Sequence, residues 1–121
     1  MLQTTKTVRL KHRNPLEKQI ENDILRWLSY KNILACKIKT VGTFDLKRGR
    51  FRTPSPWYRK GVADILVCHQ GKFIALEVKT KVGRLSPSQK HFFTDVAKAG
   101  GIAVLVRSVE DVAKVFNETV K

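Results

Sequence analysis

The chain is poor in acids. Ten Asp and Glu stand against 24 Lys and Arg in 121 residues, a formal charge of +14. A field of that sign favours polyanionic partners, nucleic acid first among them. Long apolar runs are also absent: nothing approaches the ~20 residues that a membrane helix needs, and no strongly basic amphipathic helix accompanies the charge. An anionic membrane is therefore not the expected partner, and no secretory apolar stretch is present. Cysteine is scarce. Cys36 and Cys68 form no CxxC motif, and with three His they are too few for a structural zinc site. Both lie in apolar strand-like segments and are read as core thiols of a reduced, cytosolic protein. Internal repeats and low-complexity segments are lacking too.

What is present fits one domain, with a basic arm over residues 1–13 and a folded unit over 14–121. A chain this short can bury a single core but has little surface with which to wrap a substrate alone, so a homodimer is expected. The charge is uneven. Residues 1–61 carry 15 basic and 4 acidic residues, against 9 and 6 in residues 62–121.

The most informative stretch is GVADILVCHQGKFIALEVK, Gly61 to Lys79. A two-residue turn at Gln70–Gly71 makes it a β-hairpin and sets Asp64 opposite Glu77. Alternation then puts Lys79 on the face of Glu77, while Ile65, Val67, Ile74, Leu76 and Val78 point into a core. Two acids facing each other across a strand pair, among apolar neighbours, repel. A divalent cation removes that repulsion, and hard oxygen ligands at this spacing suit Mg²⁺ or Mn²⁺. A lysine two residues on can hold or activate a water beside such an ion. The plain alternative is a solvated hairpin face on which Lys79 is counter-ion to both acids.

Upstream, Asn14-Pro15-Leu16-Glu17 reads as a helix start, with Asn at the N-cap, Pro at the first position and Glu at the third. Leu16, Ile20, Ile24, Trp27 and Leu28 follow at helical spacing as the buried stripe. Glu17 and Glu21 lie one turn apart on its flank. The cap alone accounts for Glu17, whereas Glu21 has no local role. A first strand is expected over Ile33 to Val41, up to Gly42. FDLKRGRFR then reads as a second, more exposed hairpin around Arg48–Gly49. Between Lys47 and Lys60 six basic residues (Lys47, Arg48, Arg50, Arg52, Arg59, Lys60) and no acid surround Trp57 and Tyr58. Cations for phosphates beside rings for exposed bases suit nucleic acid, although the rings could instead tuck under the core.

After the hairpin, Lys81 and Arg84 add cations in a loop. Ser86-Pro87-Ser88-Gln89 opens a helix with Ser at the N-cap and Gln at N3 of a capping box. Phe92, Phe93, Val96 and Ala97 form its apolar side, and Gly100–Gly101 ends it. Ile102 to Val106 is a continuous apolar run, read as a buried strand parallel to the Phe73–Lys79 strand. Ser108 caps a last helix with Val109, Val112, Ala113, Phe116 and Val120 inward. The expected fold is α/β, a mixed sheet flanked by helices.

D-x12-E-V-K resembles the signature of the PD-(D/E)xK nuclease superfamily. KGVADIL followed by ALEVKTKVGRLSPSQ is similar, within it, to the virus-type replication-repair nuclease (VRR-NUC) domain, over roughly Pro15 to Val109. Ala63 departs from the family's usual Pro and leaves the acid in place. The resemblance implies a restriction-endonuclease-like sheet and a metal-dependent endonuclease acting on branched DNA, as a dimer of the Holliday-junction-resolvase kind. It implies that the Val78 carbonyl joins Asp64 and Glu77 on the metal, that Glu21 or Glu17 supplies a third acid, and that Gln89 lies beside the metal or a phosphate. A non-catalytic nucleic-acid-binding module and a sequence-specific restriction-type nuclease are the alternatives.

Overall fold

The computed structural model describes residues 15–38, 44–51 and 56–117. In chain order these form α1 (Pro15–Tyr30), β1 (Leu34–Lys37), β2 (Phe44–Asp45), β3 (Arg50–Phe51), β4 (Ile65–His69), β5 (Lys72–Val78), α2 (Pro87–Lys98), β6 (Ile102–Val106) and α3 (Val109–Val115). The main sheet has the order β1-β4-β5-β6, antiparallel except for the parallel β5–β6 pair. β2 and β3 make a separate small hairpin. The fold is α/β, a four-stranded mixed sheet with three flanking helices. The basic arm, the Asn14 cap, Gly42, Arg52 and Val120 lie outside the described residues.

The central hairpin has the expected register, Ile65 on Leu76 through His69 on Lys72. Its turn residues Gln70 and Gly71 both take positive φ, 52° and 79°. That is the type I′ geometry whose twist matches paired strands. Ile65, Val67, Ile74, Leu76 and Val78 are all buried, packed with Ile24, Trp27 and Leu28 of α1 and Val112 and Ala113 of α3. The core therefore sits between one face of the sheet and these two helices.

Several side chains lie elsewhere than expected. Leu16 is 60 % exposed, because it falls in the first turn of α1 and to one side of the face that meets the sheet. The centre of that face holds Glu21 instead, which is fully buried. Cys36 and Cys68 are both exposed. Parity explains it: Ala35 and Val67 are paired with each other and turn inward, so the cysteines beside them turn outward, to the face that α2 covers at the β6 edge. β6 is an edge strand rather than a fully buried one, with Ile102 exposed and Val106 buried. In α2 only Val96 is fully buried; Phe92 and Phe93 are half-buried, and Ala97 faces solvent.

Candidate active site

β4 begins at Ile65, so Asp64 stands just where the strand pair opens. Its backbone carbonyl still accepts from Ile38 N at 2.8 Å, which keeps it in line with β1. Its side chain replaces the missing ladder partner: Asp64 Oδ2 accepts from Val78 N at 2.7 Å. Strand geometry turns the N–H and C=O of one residue to the same side. The Val78 carbonyl therefore looks toward Asp64, away from β6, to which the next residue, Lys79, donates through its N–H at 3.1 Å.

Glu77 is buried on the outer face of β5. Its Oε2 accepts from Gln89 Nε2 at 3.0 Å and lies 3.6 Å from Lys79 Nζ. The capping box at Ser86 is complete: Ser86 Oγ accepts from Gln89 N at 3.2 Å, and Ser86 N donates to Gln89 Oε1 at 2.8 Å. One amide thus serves two contacts, with its oxygen on the helix cap and its nitrogen on Glu77. Gly61 fixes the approach of this helix end. Its φ is +81°, and a Cβ there would overlap the Ser88 carbonyl and stand 2.8 Å from Gln89 N. Only glycine lets the chain before Asp64 press so closely on the start of α2.

Glu21 lies on the α1 side of the sheet, at the same end. Its Oε2 is 3.7 Å from Nζ of Lys37, whose strand position pairs with Ile65 next to Asp64. Glu17, one turn earlier, is half-buried. Asp64, Glu77, Lys79 and Gln89 are thus brought together by direct contacts or adjoining backbone. Glu21 approaches from the other face, with Lys37 as a partner that nothing local in the sequence announced.

The donors at this end suit a hard divalent cation. They are carboxylates and a carbonyl oxygen, with no thiolate or imidazole among them, and a cation such as Mg²⁺ takes one or two carboxylates and keeps several waters. Among the described residues no group of three or more His, Cys, Asp or Glu side chains lies close enough to hold a metal.

The cations divide into two kinds. Lys47, Arg48, Lys60, Lys81 and Arg84 are exposed. Arg59, expected to meet phosphate, is ion-paired with Asp95 at 2.6 Å and lies over the Phe92 ring at 5.3 Å. Its guanidinium, hydrogen-bonded to Asp95, holds that carboxyl below the usual carboxylate range. Arg59 thereby ties the preceding loop to α2. Trp57, on this loop, is 92 % exposed and Tyr58 is exposed beside it, so the rings do not tuck under the core.

No described helix is long and apolar enough to cross a membrane. No curated protein matches the chain. Among solved structures it is similar to one described as a VRR_NUC domain protein, with a TM-score of 0.54, 17 % identity and 84 % of each chain covered. At that identity the likeness speaks for the fold. The family described as the VRR-NUC domain matches residues 16–110, from the first turn of α1 into α3. The chain belongs to the VRR-NUC domain family of nucleases.

Proposed function

We propose that this protein is a metal-dependent endonuclease that hydrolyses phosphodiester bonds in DNA, with Asp64, Glu77 and Lys79 as its reacting centre. The observation that carries this reading is the convergence at the open end of β4 and β5. There Asp64 meets the Val78 amide at 2.7 Å, and Glu77 is held between Gln89 and Lys79. Asp64, Glu77 and the Val78 carbonyl would hold Mg²⁺ or Mn²⁺. Such an ion supplies Lewis-acid stabilisation of the scissile phosphate and lowers the pKa of a bound water.

The protein's own groups do the rest. Lys79 orients the attacking water or neutralises charge as it develops on the phosphate. Gln89 holds the Glu77 carboxylate in one rotamer, and the closed cap holds Gln89. Between Glu17 and Glu21 of the first helix we assign Glu21, buried beside this end of the sheet, to complete the acidic environment, and leave Glu17 to the helix start. Lys47, Arg48, Arg50, Arg52, Lys60, Lys81 and Arg84 line the DNA path, with Arg59 as an anchor within it.

The substrate we infer is branched DNA, cut by a homodimer. One chain presents one site, whereas two symmetric cuts in a four-way junction need two sites related by a twofold axis. The outer sheet face bearing Leu34, Cys36, Cys68 and Phe73 is exposed apolar surface available to a second copy. The test is cleavage of duplex, flap, fork and four-way substrates with Mg²⁺, Mn²⁺, Ca²⁺ or chelator, alongside light scattering. Mg²⁺- or Mn²⁺-dependent cuts placed symmetrically in the junction by a dimer are expected. One-sided nicks by a monomer would remove the junction reading and leave the nuclease; binding without cleavage in every metal would favour a non-catalytic module.

A further inference from the structure

Lys79 carries a flexible four-carbon stem, and its ion pair with Glu77 does not by itself fix where the ammonium rests. The structure surrounds that stem with a turn of the signature stretch and with an arginine, Arg107, that lies beyond it. β5 and β6 pair in parallel with Val78 on Val106, so Arg107, the first residue after β6, emerges beside the exit of β5. Its Nη1 donates to the carbonyls of Thr80, Lys81 (3.1 Å) and Gly83 (2.9 Å). These three belong to one tight turn, closed by Gly83 N donating to Thr80 O at 3.1 Å.

The turn folds Gly83 back onto Lys79. A Cβ at Gly83 would stand 3.1 Å from Lys79 Cβ and 3.2 Å from Cδ, tighter than ordinary van der Waals contact. The bare glycine is what lets the turn lie flat along the lysine stem. Arg107 is itself held, because its backbone N–H donates to Asp111 Oδ2 at 2.8 Å, inside the capped start of α3. A chain of contacts therefore runs from α3 through Arg107 and the 80–83 turn to Lys79, whose Nζ stands 3.6 Å from Glu77.

We propose that Arg107 is a positioning residue for Lys79: its guanidinium clamps the Thr80–Gly83 turn so that Gly83 packs on the lysine stem and confines the ammonium at the reacting centre. This rests on the nuclease reading above. A reacting group displaced by about 1 Å can lose on the order of 10²-fold in rate, which is the scale such a clamp controls. Arg107 directs its side chain to the turn carbonyls, so its loss removes no metal donor and no charge of Lys47, Arg48, Lys60, Lys81 or Arg84.

The test uses the full chain with Arg107→Ala, Arg107→Lys and Gly83→Ala. In Arg107→Ala kcat falls roughly 10–100-fold while KM and DNA affinity in Ca²⁺ stay within about threefold. Arg107→Lys, which keeps a cation of shorter reach, recovers part of kcat. Gly83→Ala presses on the stem with the Arg107 side chain left in place and also lowers kcat, so the inference survives a failure of Arg107→Ala to fold. The second readout needs no activity: carbon relaxation at the Lys79 ε-methylene, in protein free of metal and DNA, reports an ordered stem in wild type and a mobile one in Arg107→Ala. Unchanged relaxation together with unchanged kcat overturns the proposal. So does a loss of DNA affinity of tenfold or more at constant kcat, which would make Arg107 a phosphate contact. A wild type that cleaves nothing defeats the nuclease reading instead, and the relaxation data still decide whether Arg107 orders Lys79.

Discussion

In the function proposed above, two hairpins of this chain carry its chemistry in opposite ways. The β4–β5 hairpin has a two-residue turn, a ladder of five paired residues and an apolar face sunk in the core. The β2–β3 hairpin has a four-residue turn, Leu46 to Gly49, and two paired positions. Asp64 and Glu77 stand at the end of the first; Lys47 and Arg48 stand exposed in the turn of the second. The difference follows from what each task requires. Ligands and a reacting amine must be held within fractions of an ångström, which only a packed ladder provides. Cations that neutralise phosphates act through a field and flexible stems, and an exposed turn suffices.

Substitutions can break this contrast, and the largest effect lies on the rigid side. Asp64→Asn should lower Mg²⁺-dependent cleavage by on the order of 10²–10³-fold or more, because the lost charge mainly served the transition state. DNA binding, measured in Ca²⁺, should stay close to wild type. Lys79→Ala should be as inactive while still taking up Mn²⁺ in calorimetry.

Next come the residues that hold the rigid side in place. Gly61→Ala forces a Cβ into the Ser88 backbone, so the start of α2 must shift and carry Gln89 off Glu77. Cleavage should fall roughly 10–100-fold, and Gln89→Ala should reproduce most of that fall. Equal loss in thermal stability and rate for Gly61→Ala, with Gln89→Ala fully active, would show that this contact does no more than support the fold. Glu17 and Glu21 of α1 sharpen the same point. Glu21→Gln should depress the rate with little change in Tm. Glu17→Gln should lower Tm by a few degrees, as loss of a favourable first-turn charge does, and leave the rate near wild type. The reverse pattern would move the third acid by one turn.

On the flexible side, replacing Lys47, Arg48, Arg50 and Arg52 with Ala should flatten the dependence of log affinity on log salt by up to about four units. Binding should weaken alike for every DNA shape, as a set of phosphate contacts dictates. The smallest effect belongs to the anchor. Since Arg59 lowers the pKa of Asp95, their clamp is complete above about pH 4 and is lost as the pH falls through the lowered value. Asp95→Asn should therefore loosen the loop at neutral pH, read as faster proteolysis between Pro56 and Lys60, with DNA affinity reduced by less than about threefold.

The rigid hairpin was also the more legible in the sequence. Strand parity and a Gln-Gly turn leave one register open, so Asp64 and Glu77 fall opposite each other by geometry, and Ser86-x-x-Gln89 marks a helix start from its cap chemistry alone. Parity does not say which face a neighbour will cover. Cys36 and Cys68 looked like core residues because their strands are apolar, yet they turn to the half-covered side. Hydrophobic periodicity treats an acid as a solvent-facing residue, which is why Glu21 was expected at the flank of its stripe and stands at the centre. Lys37 meets Glu21 from a strand, and Arg107 meets carbonyls 24 to 27 residues away; such pairs exist only once the sheet has formed.

The most direct test of the central claim is single-turnover cleavage of an end-labelled four-way junction by wild type and Glu77→Gln in Mg²⁺, with the bound fraction measured in Ca²⁺ on the same preparations. Gln keeps the shape of Glu77 and can still accept from Gln89, so the site loses the carboxylate charge and with it the ion pair to Lys79. Wild type should cut, and Glu77→Gln should bind as tightly and leave the junction whole. Cleavage by Glu77→Gln at the wild-type rate would contradict it.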